Sequence, residues 1–348
     1  MTKSRKSRSK TLITIAIILA IGVTGGSILH SVLRANVNLH GESSAILLIP
    51  TGASFATVQD SLYTHDYIRH RRSFEWTAAR KGYDQRVRPG RYRIRNGMSS
   101  NQLVDLLRSG KQEPVRLFFQ NARTPAELAG KVSGQIEADS AELMNLMNDK
   151  AYLGQFGVVP ATLFTIIVPN TYEFFWNTSA KGFLERMYKE SRQFWEQGRT
   201  QRADSIGLSR GQVVTLASIV EKETAMNSEK PIIAGVYMNR LKRGMPLQAD
   251  PTLIFAWNDY TIKRVLNKHK QIDSPYNTYL HTGLPPGPIC LPSIASIDAV
   301  LSYRRSNYLY FCAREDFSGY HHFAVTLAEH NRNASRYQQA LKKAMILK

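Results

Sequence analysis

The chain has 348 residues, enough for about two domains, and its 43% hydrophobic content excludes long disordered stretches. A formal charge of +19 favours polyanionic surroundings, whether nucleic acid, anionic lipid or an acidic wall polymer, without choosing among them. The two cysteines, Cys290 and Cys312, show no C-x-x-C or Cys/His spacing, which predicts free thiols, no metal site and no cofactor.

Lys3, Arg5, Lys6, Arg8 and Lys10 precede an apolar run of 18 residues, Leu12 to Leu29. That is close to the shortest helix able to span a bilayer. Basic residues on its N-terminal side orient that end toward the cytoplasm. We expect a cytoplasmic basic segment over 1–11 and an anchor over 12–32 in the inner (cell) membrane, with the remainder on the periplasmic, extracytoplasmic side. His30-Ser31-Val32 is a poor cleavage site, so an uncleaved anchor is favoured over a signal peptide. The same topology argues against a nucleic-acid partner.

Ala45–Pro50 reads as a strand. Helical spacing follows over Ser54–Tyr63 and again over Ser73–Arg80. Pro89-Gly90 turns into a half-buried strand at Arg91–Ile94. Ser99 and Ser100 cap a helix carrying Leu103, Leu106 and Leu107, which Gly110 ends. This βααβα pattern predicts a small α/β subdomain over 45–112. A larger mixed domain over 113–348 makes the fold class α+β.

Within that domain Pro114–Gln120 predicts a strand. Pro125–Met147 predicts two helices split near Ser140, and Gly182–Gln197 an amphipathic helix. Ser209 and Gln212 form a capping box for a helix ending at Glu223. Ser228 is expected to cap the next helix, which ends at Gly244, and Asp250 to cap a third beginning at Pro251. His281–Ser293 is rich in Pro and Gly, as in an ordered loop or a mobile lid. Asn307–Ala313 and His322–Leu327 form a hairpin around Ser318-Gly319, and Ala328–Lys343 a terminal helix.

The Val213–Glu223 helix holds the most informative chemistry. Gly211, Thr215, Ser218 and Lys222 share one stripe, and apolar side chains cover the rest, so the helix is largely buried. Glu221 and Glu223 each project about 100° from Lys222 and gain no clear partner within the helix. Burial and the negative end of the helix dipole both disfavour a carboxylate there, raising its pKa. A protonated carboxyl near neutral pH is what acid cleavage of a glycosidic bond requires. Helical geometry alone leaves open which glutamate is the acid.

Leu216–Thr224 (LASIVEKET), Asn239-Arg240-Leu241, Gln248-Ala249-Asp250-Pro251-Thr252, Tyr276-Asn277-Thr278-Tyr279 and Gly283-Leu284-Pro285-Pro286 occur in this order. With the later Tyr308–Phe311, His321–Phe323 and Glu329–Asn331, they resemble the MltG/YceG-like endolytic murein transglycosylases. The resemblance implies a membrane-anchored protein with a LysM-like small subdomain and a lysozyme-like catalytic helix. It implies cleavage of the β-1,4 bond between N-acetylmuramic acid and N-acetylglucosamine in nascent peptidoglycan strands, leaving 1,6-anhydro ends and ending strand growth. The family's catalytic glutamate precedes Thr, which points to Glu223.

Expected substrate contacts are Glu221, Asn239, Arg240, Gln248, Asp250, Tyr276, Asn277, Tyr279 and His321. The amides would bond acetamido groups and the tyrosines would stack on sugars. Arg240 would pair with Glu221 or Glu223, or bind a lactyl or peptide carboxylate. Partners implied are peptidoglycan glycan strands, the bilayer, penicillin-binding proteins and elongation or division proteins. The alternative is a membrane-anchored, peptidoglycan-binding scaffold without catalysis. Two departures, Pro292-Ser293 for a usual Pro-Gly and Pro169-Asn170-Thr171-Tyr172 for Pro-Asp-Thr-Tyr, bear on loop geometry rather than reaction type.

Overall fold

The structure, a computed structural model, describes residues 3–344, with side chains from Thr14 onward apart from Ile28. The side chains of the basic head, Lys3 to Lys10, lie outside the described residues. Helix α1 (Lys3–Leu33) contains a 20-residue stretch, Thr14–Leu33, of mean hydropathy 2.0, long and apolar enough to cross a membrane. The chain divides into two compact units, one reaching Val115 and taking in Glu173–Thr178, the other formed by Arg116–Tyr172 and Ser179 onward.

In the first unit β1 (Ser44–Ile49), α2 (Phe55–Thr64), α3 (Arg71–Arg80), β2 (Gly90–Arg95) and α4 (Ser100–Ser109) follow in order. β1 and β2 pair antiparallel, from Ser44 opposite Arg95 to Ile49 opposite Gly90. Tyr92 and Ile94 point inward and Arg93 and Arg95 outward, the alternation a half-buried strand requires. Ser99 and Gln102 close a capping box on α4, and Gly110 ends it at φ 70°, a left-handed turn that favours glycine. The core also includes Val37 and Leu39, ahead of the expected start at 45.

From Val115 onward the chain, most of it in the second unit, is mainly helical. β3 (Val115–Phe118) is followed by α5 (Pro125–Ser133), α6 (Ser140–Asn148) and the short α7 (Lys150–Gly154). Residues 160–166 form a 3₁₀ turn before β4 (Thr171–Phe174), the strand with which β3 pairs. Then come α8 (Ala180–Glu196), α9 (Arg199–Ser205), α10 (Arg210–Glu223), α11 (Lys230–Lys242), α12 (Asp250–Trp257) and α13 (Ile294–Leu301). The antiparallel pair β5 (Tyr310–Ala313) and β6 (His321–Ala324) and α14 (Leu327–Lys343) complete it. Helices α7, α9 and α13 were not expected from the sequence. Each is eight residues or fewer, too short to show a clear helical period.

Helix α10 is the central element. Val213 to Val220 are all buried, and the helix packs against α11, α12, α13 and the 160–166 turn. Burying each such aliphatic side chain contributes about 1.5–3 kcal/mol. Thr215 and Ser218 of its polar stripe are buried too. The Ser218 hydroxyl donates to the Thr215 carbonyl at 2.7 Å and accepts the Ile289 N–H at 3.0 Å. The Pro/Gly-rich segment is therefore an ordered loop fastened to α10. At Gly287 an added Cβ would stand 2.1 Å from the Ala161 carbonyl oxygen, so only glycine permits this approach. Cys290 and Cys312 are free thiols.

Two expected caps are corrected. Ser228 does not cap α11. Glu229 precedes that helix with no side-chain cap bond, because its carboxylate is turned to His321. Asp250 does not cap α12 either; it is the first helical residue, and the cap position falls on Ala249.

Candidate active site

The last turn of α10 sets the site. The Ser209–Gln212 capping box fixes the start of the helix. Thr224 stops it by adopting an extended backbone (φ −147°, ψ 142°), and its hydroxyl accepts the Met226 N–H at 3.0 Å. Glu223 is thus the final helical residue, held where the chain turns away. It lines a cleft of about 400 Å³ with Tyr237, Gln248, Asp250, Tyr279 and Tyr310. It also lines a second cleft of about 530 Å³ with Asn121, Lys222 and Asn227.

The two glutamates have different surroundings. Glu221 Oε2 accepts from Lys230 Nζ at 3.1 Å and from the Ser293 and Ser296 hydroxyls, each at 2.5 Å. Burial acts to raise its pKa, but the two hydroxyls and the ammonium outweigh it and hold the carboxyl below its usual value. Glu221 is therefore an ionised anchor for α11 and α13 rather than a free substrate ligand. Ser293, at the departure from Pro-Gly, both caps α13 and bonds Glu221.

Glu223 has one close donor, Tyr237, whose O–H reaches Oε1 at 2.5 Å. Burial pushes its pKa up to about 7. The Tyr237 hydrogen bond opposes this rise, the Asp250 charge adds to it, and the Arg240 charge opposes it. Because Tyr237 takes Oε1, the acidic proton is left to Oε2. Tyr237 was not singled out in the sequence. It lies three residues before Arg240, hence on the same face of α11.

The remaining expected residues separate into cleft-lining groups and supports. Gln248, Asp250, Tyr279, Arg240 and His321 all line the first cleft. Gln248 holds a left-handed backbone (φ 53°), an uncommon conformation for a non-glycine residue. Tyr279 donates to Asp250 Oδ1 at 2.5 Å, so the two act as a unit. Arg240 forms no ion pair with Glu221 or Glu223. Its guanidinium donates to the Leu309 and Leu247 carbonyls at 2.7 and 2.8 Å, tying β5 to the 246–248 turn. His321 is fixed by Glu229, which accepts its backbone N–H at 2.9 Å and meets Nδ1 at 2.8 Å.

Both asparagines are spent within the fold. Asn239 Nδ2 donates to the Ser306 and Tyr308 carbonyls, and Asn277, fully buried, donates to Lys270 and Ile272. Neither amide nitrogen is free to donate to an acetamido group. Tyr276 packs on Phe255, ring centroids 4.6 Å apart, instead of presenting a face to the first cleft. Tyr310 and His330 line that cleft without having been singled out as site residues, stacked on each other at 5.4 Å.

The sequence pattern of the YceG-like family matches residues 47–336. The chain belongs to this family. A relative from Bacillus subtilis named endolytic murein transglycosylase is 28% identical, the alignment covering 90% of the YceG-like chain and 91% of the relative. One of the same name from Streptococcus pneumoniae is 26% identical, with 94% of this chain and 64% of the relative covered. The crystal structure of a YceG-like protein from Listeria monocytogenes superposes with a TM-score of 0.56 at 28% identity, covering 83% of this chain and 98% of that one.

Proposed function

We propose that this YceG-like chain is a membrane-anchored endolytic murein transglycosylase with Glu223 as its acid and base. The observation that carries this reading is a carboxyl group whose pKa is pushed up to about 7 in a cleft. The names of its relatives support the substrate class.

Glu223 Oε2 donates its proton to the oxygen bridging N-acetylmuramic acid and N-acetylglucosamine. As the bond lengthens, positive charge develops at the muramyl C1. The new carboxylate is stabilised by the Tyr237 hydroxyl, since a hydrogen bond to a charged acceptor is stronger than one to a neutral acceptor. Glu223 then removes the proton of that sugar's own C6 hydroxyl, which closes on C1 to give the 1,6-anhydro end. The intramolecular hydroxyl replaces external water and brings a high effective molarity. One carboxyl serves both steps in sequence. Tyr279 and Tyr310 add aromatic surface to the wall of the cleft.

In this reading α10 corresponds to a lysozyme-like catalytic helix and the first unit to a LysM-like module. The basic head lies in the cytoplasm and the clefts outside it, facing nascent glycan strands. Penicillin-binding, elongation or division proteins are the partners such a location suggests. The test is release of anhydromuramyl ends from purified glycan. Glu223→Gln is expected to abolish it while preserving binding; wild-type turnover in that variant rejects the assignment.

A further inference from the structure

A third cavity, of about 200 Å³, adjoins the second of the two clefts that Glu223 lines. It shares Lys222 with the second cleft, and Lys222 is the residue immediately before Glu223. Lys222 and Glu223 are consecutive in the last turn of α10, so the cavity and the second cleft meet at the end of the helix that carries the acid. Its chemistry differs from that of the first cleft. Ile254, Phe255, Ile262 and Ile289 give it apolar walls.

Two cations stand at this cavity without an ion pair among the described residues. Lys222 is exposed. Arg123 is also exposed, with its guanidinium 5.5 Å above the Tyr260 ring. Glu127 accepts the Arg123 backbone N–H and is paired with Lys131 at 2.8 Å. The Tyr260 hydroxyl is buried in the cavity wall and has no hydrogen-bond partner among the described residues. An unpaired buried hydroxyl costs roughly 1–3 kcal/mol, a cost removed when a ligand supplies the partner.

A sugar ring carries hydroxyls around its edge and no negative charge, so it leaves both cations without a counter-ion. A short peptide does not. Its small apolar side chains suit the isoleucine and phenylalanine surface, a peptide carbonyl accepts from Tyr260, and carboxylates meet Arg123 and Lys222. We propose that the Arg123–Lys222–Tyr260 cavity is a specificity subsite for the peptide stem carried by the muramyl sugar. The inference rests on the reading of the chain as a murein transglycosylase. The stem hangs from the sugar whose C1 reacts, so a pocket one residue from the acid recognises the substituent while the cleft holds the backbone.

The test compares strands that carry stems with strands stripped of them by an amidase, using the full chain in detergent. Wild type is expected to favour stem-bearing strands in kcat/KM. In Arg123→Ala and in Lys222→Ala the ratio of the two kcat/KM values falls about tenfold, the loss of one charged contact. Tyr260→Phe gives a smaller fall. Both cations are exposed, so these variants are expected to fold as wild type does. An unchanged ratio in all three variants, or a parallel loss on both substrates, overturns the subsite.

Binding is read separately on the Glu223→Gln background, by calorimetry with the disaccharide-pentapeptide and the bare disaccharide. The stem is expected to tighten binding, and adding Arg123→Ala removes the gain. If the stem gives no gain, the subsite falls even where cleavage proceeds. If it does while wild type releases no anhydro ends, the subsite stands and the catalytic reading fails.

Discussion

Two carboxylates leave the same helical turn two residues apart and meet opposite surroundings. Glu221 faces Lys230, Ser293 and Ser296, which fill its oxygen and hold it ionised. Glu223 faces a cleft, with Tyr237 as its one close donor and the charge of Asp250 acting to protonate it. The difference shows that position at a helix end does not decide a carboxyl's role. What decides it is how many donors the neighbouring elements bring: Lys230, Ser293 and Ser296 all reach Glu221, whereas α11 supplies Glu223 with Tyr237 alone.

Exchanging the two glutamates one at a time is the strongest way to break this comparison. Glu223→Gln is expected to remove 10²–10⁴-fold or more of the release rate of anhydro ends with little change in fold, the range for loss of a general acid. Glu221→Gln is expected to do the reverse. It leaves the buried Lys230 ammonium without its counter-ion, at a cost of roughly 3–5 kcal/mol, while the molecules that stay folded retain the chemistry. Denaturant melts beside product assays separate the two outcomes. Equal loss of activity at equal stability would erase the distinction.

The pH dependence of stability sharpens it further. Glu223 binds its proton more tightly in the fold than in the unfolded chain, so its contribution to stability declines as pH rises from about 4.5 to about 7. Glu223→Gln lacks that decline. Its stability relative to wild type is expected to improve by roughly 2–3 kcal/mol between pH 5 and pH 8. Glu221 has the opposite sign: its contribution is present above the unfolded carboxyl value and is lost as pH falls through its lower folded value.

The smallest expected effect concerns Tyr237. Removing its hydroxyl in Tyr237→Phe takes away a bond that favours the ionised form, so the alkaline limb of kcat/KM moves to higher pH. The maximal rate falls by about tenfold, the lower end of the worth of one hydrogen bond to a charged group. A limb that stays in place would mean that Tyr237 does not tune Glu223.

Much of this site could be read from residue order. The capping box at Ser209, the buried body of α10 and its end at Glu223 follow from local spacing, because capping and apolar periodicity are local properties. The division between Glu221 and Glu223 could not. Ser293 and Ser296 lie 72 and 75 residues from Glu221, and nothing near Glu221 in sequence announces them. Asn239 looked free for the same reason, since the carbonyls that occupy it lie 67 and 69 residues away; those that occupy Asn277 lie 7 and 5 residues before it, at the end of a short 3₁₀ turn that shows no clear period. Asp250 read as a cap because Asp before Pro commonly is one, but the chain enters α12 one residue earlier and leaves the carboxylate to Tyr279.

The central claim is that Glu223 keeps a proton near neutral pH where Glu221 does not. It is tested most directly by following the glutamate side-chain carboxyl carbons by NMR across pH, with the Glu223 signal assigned by its loss in Glu223→Gln. The account predicts a midpoint of about 7 for that signal. A midpoint near the ordinary glutamate value, about 4.3, would contradict it.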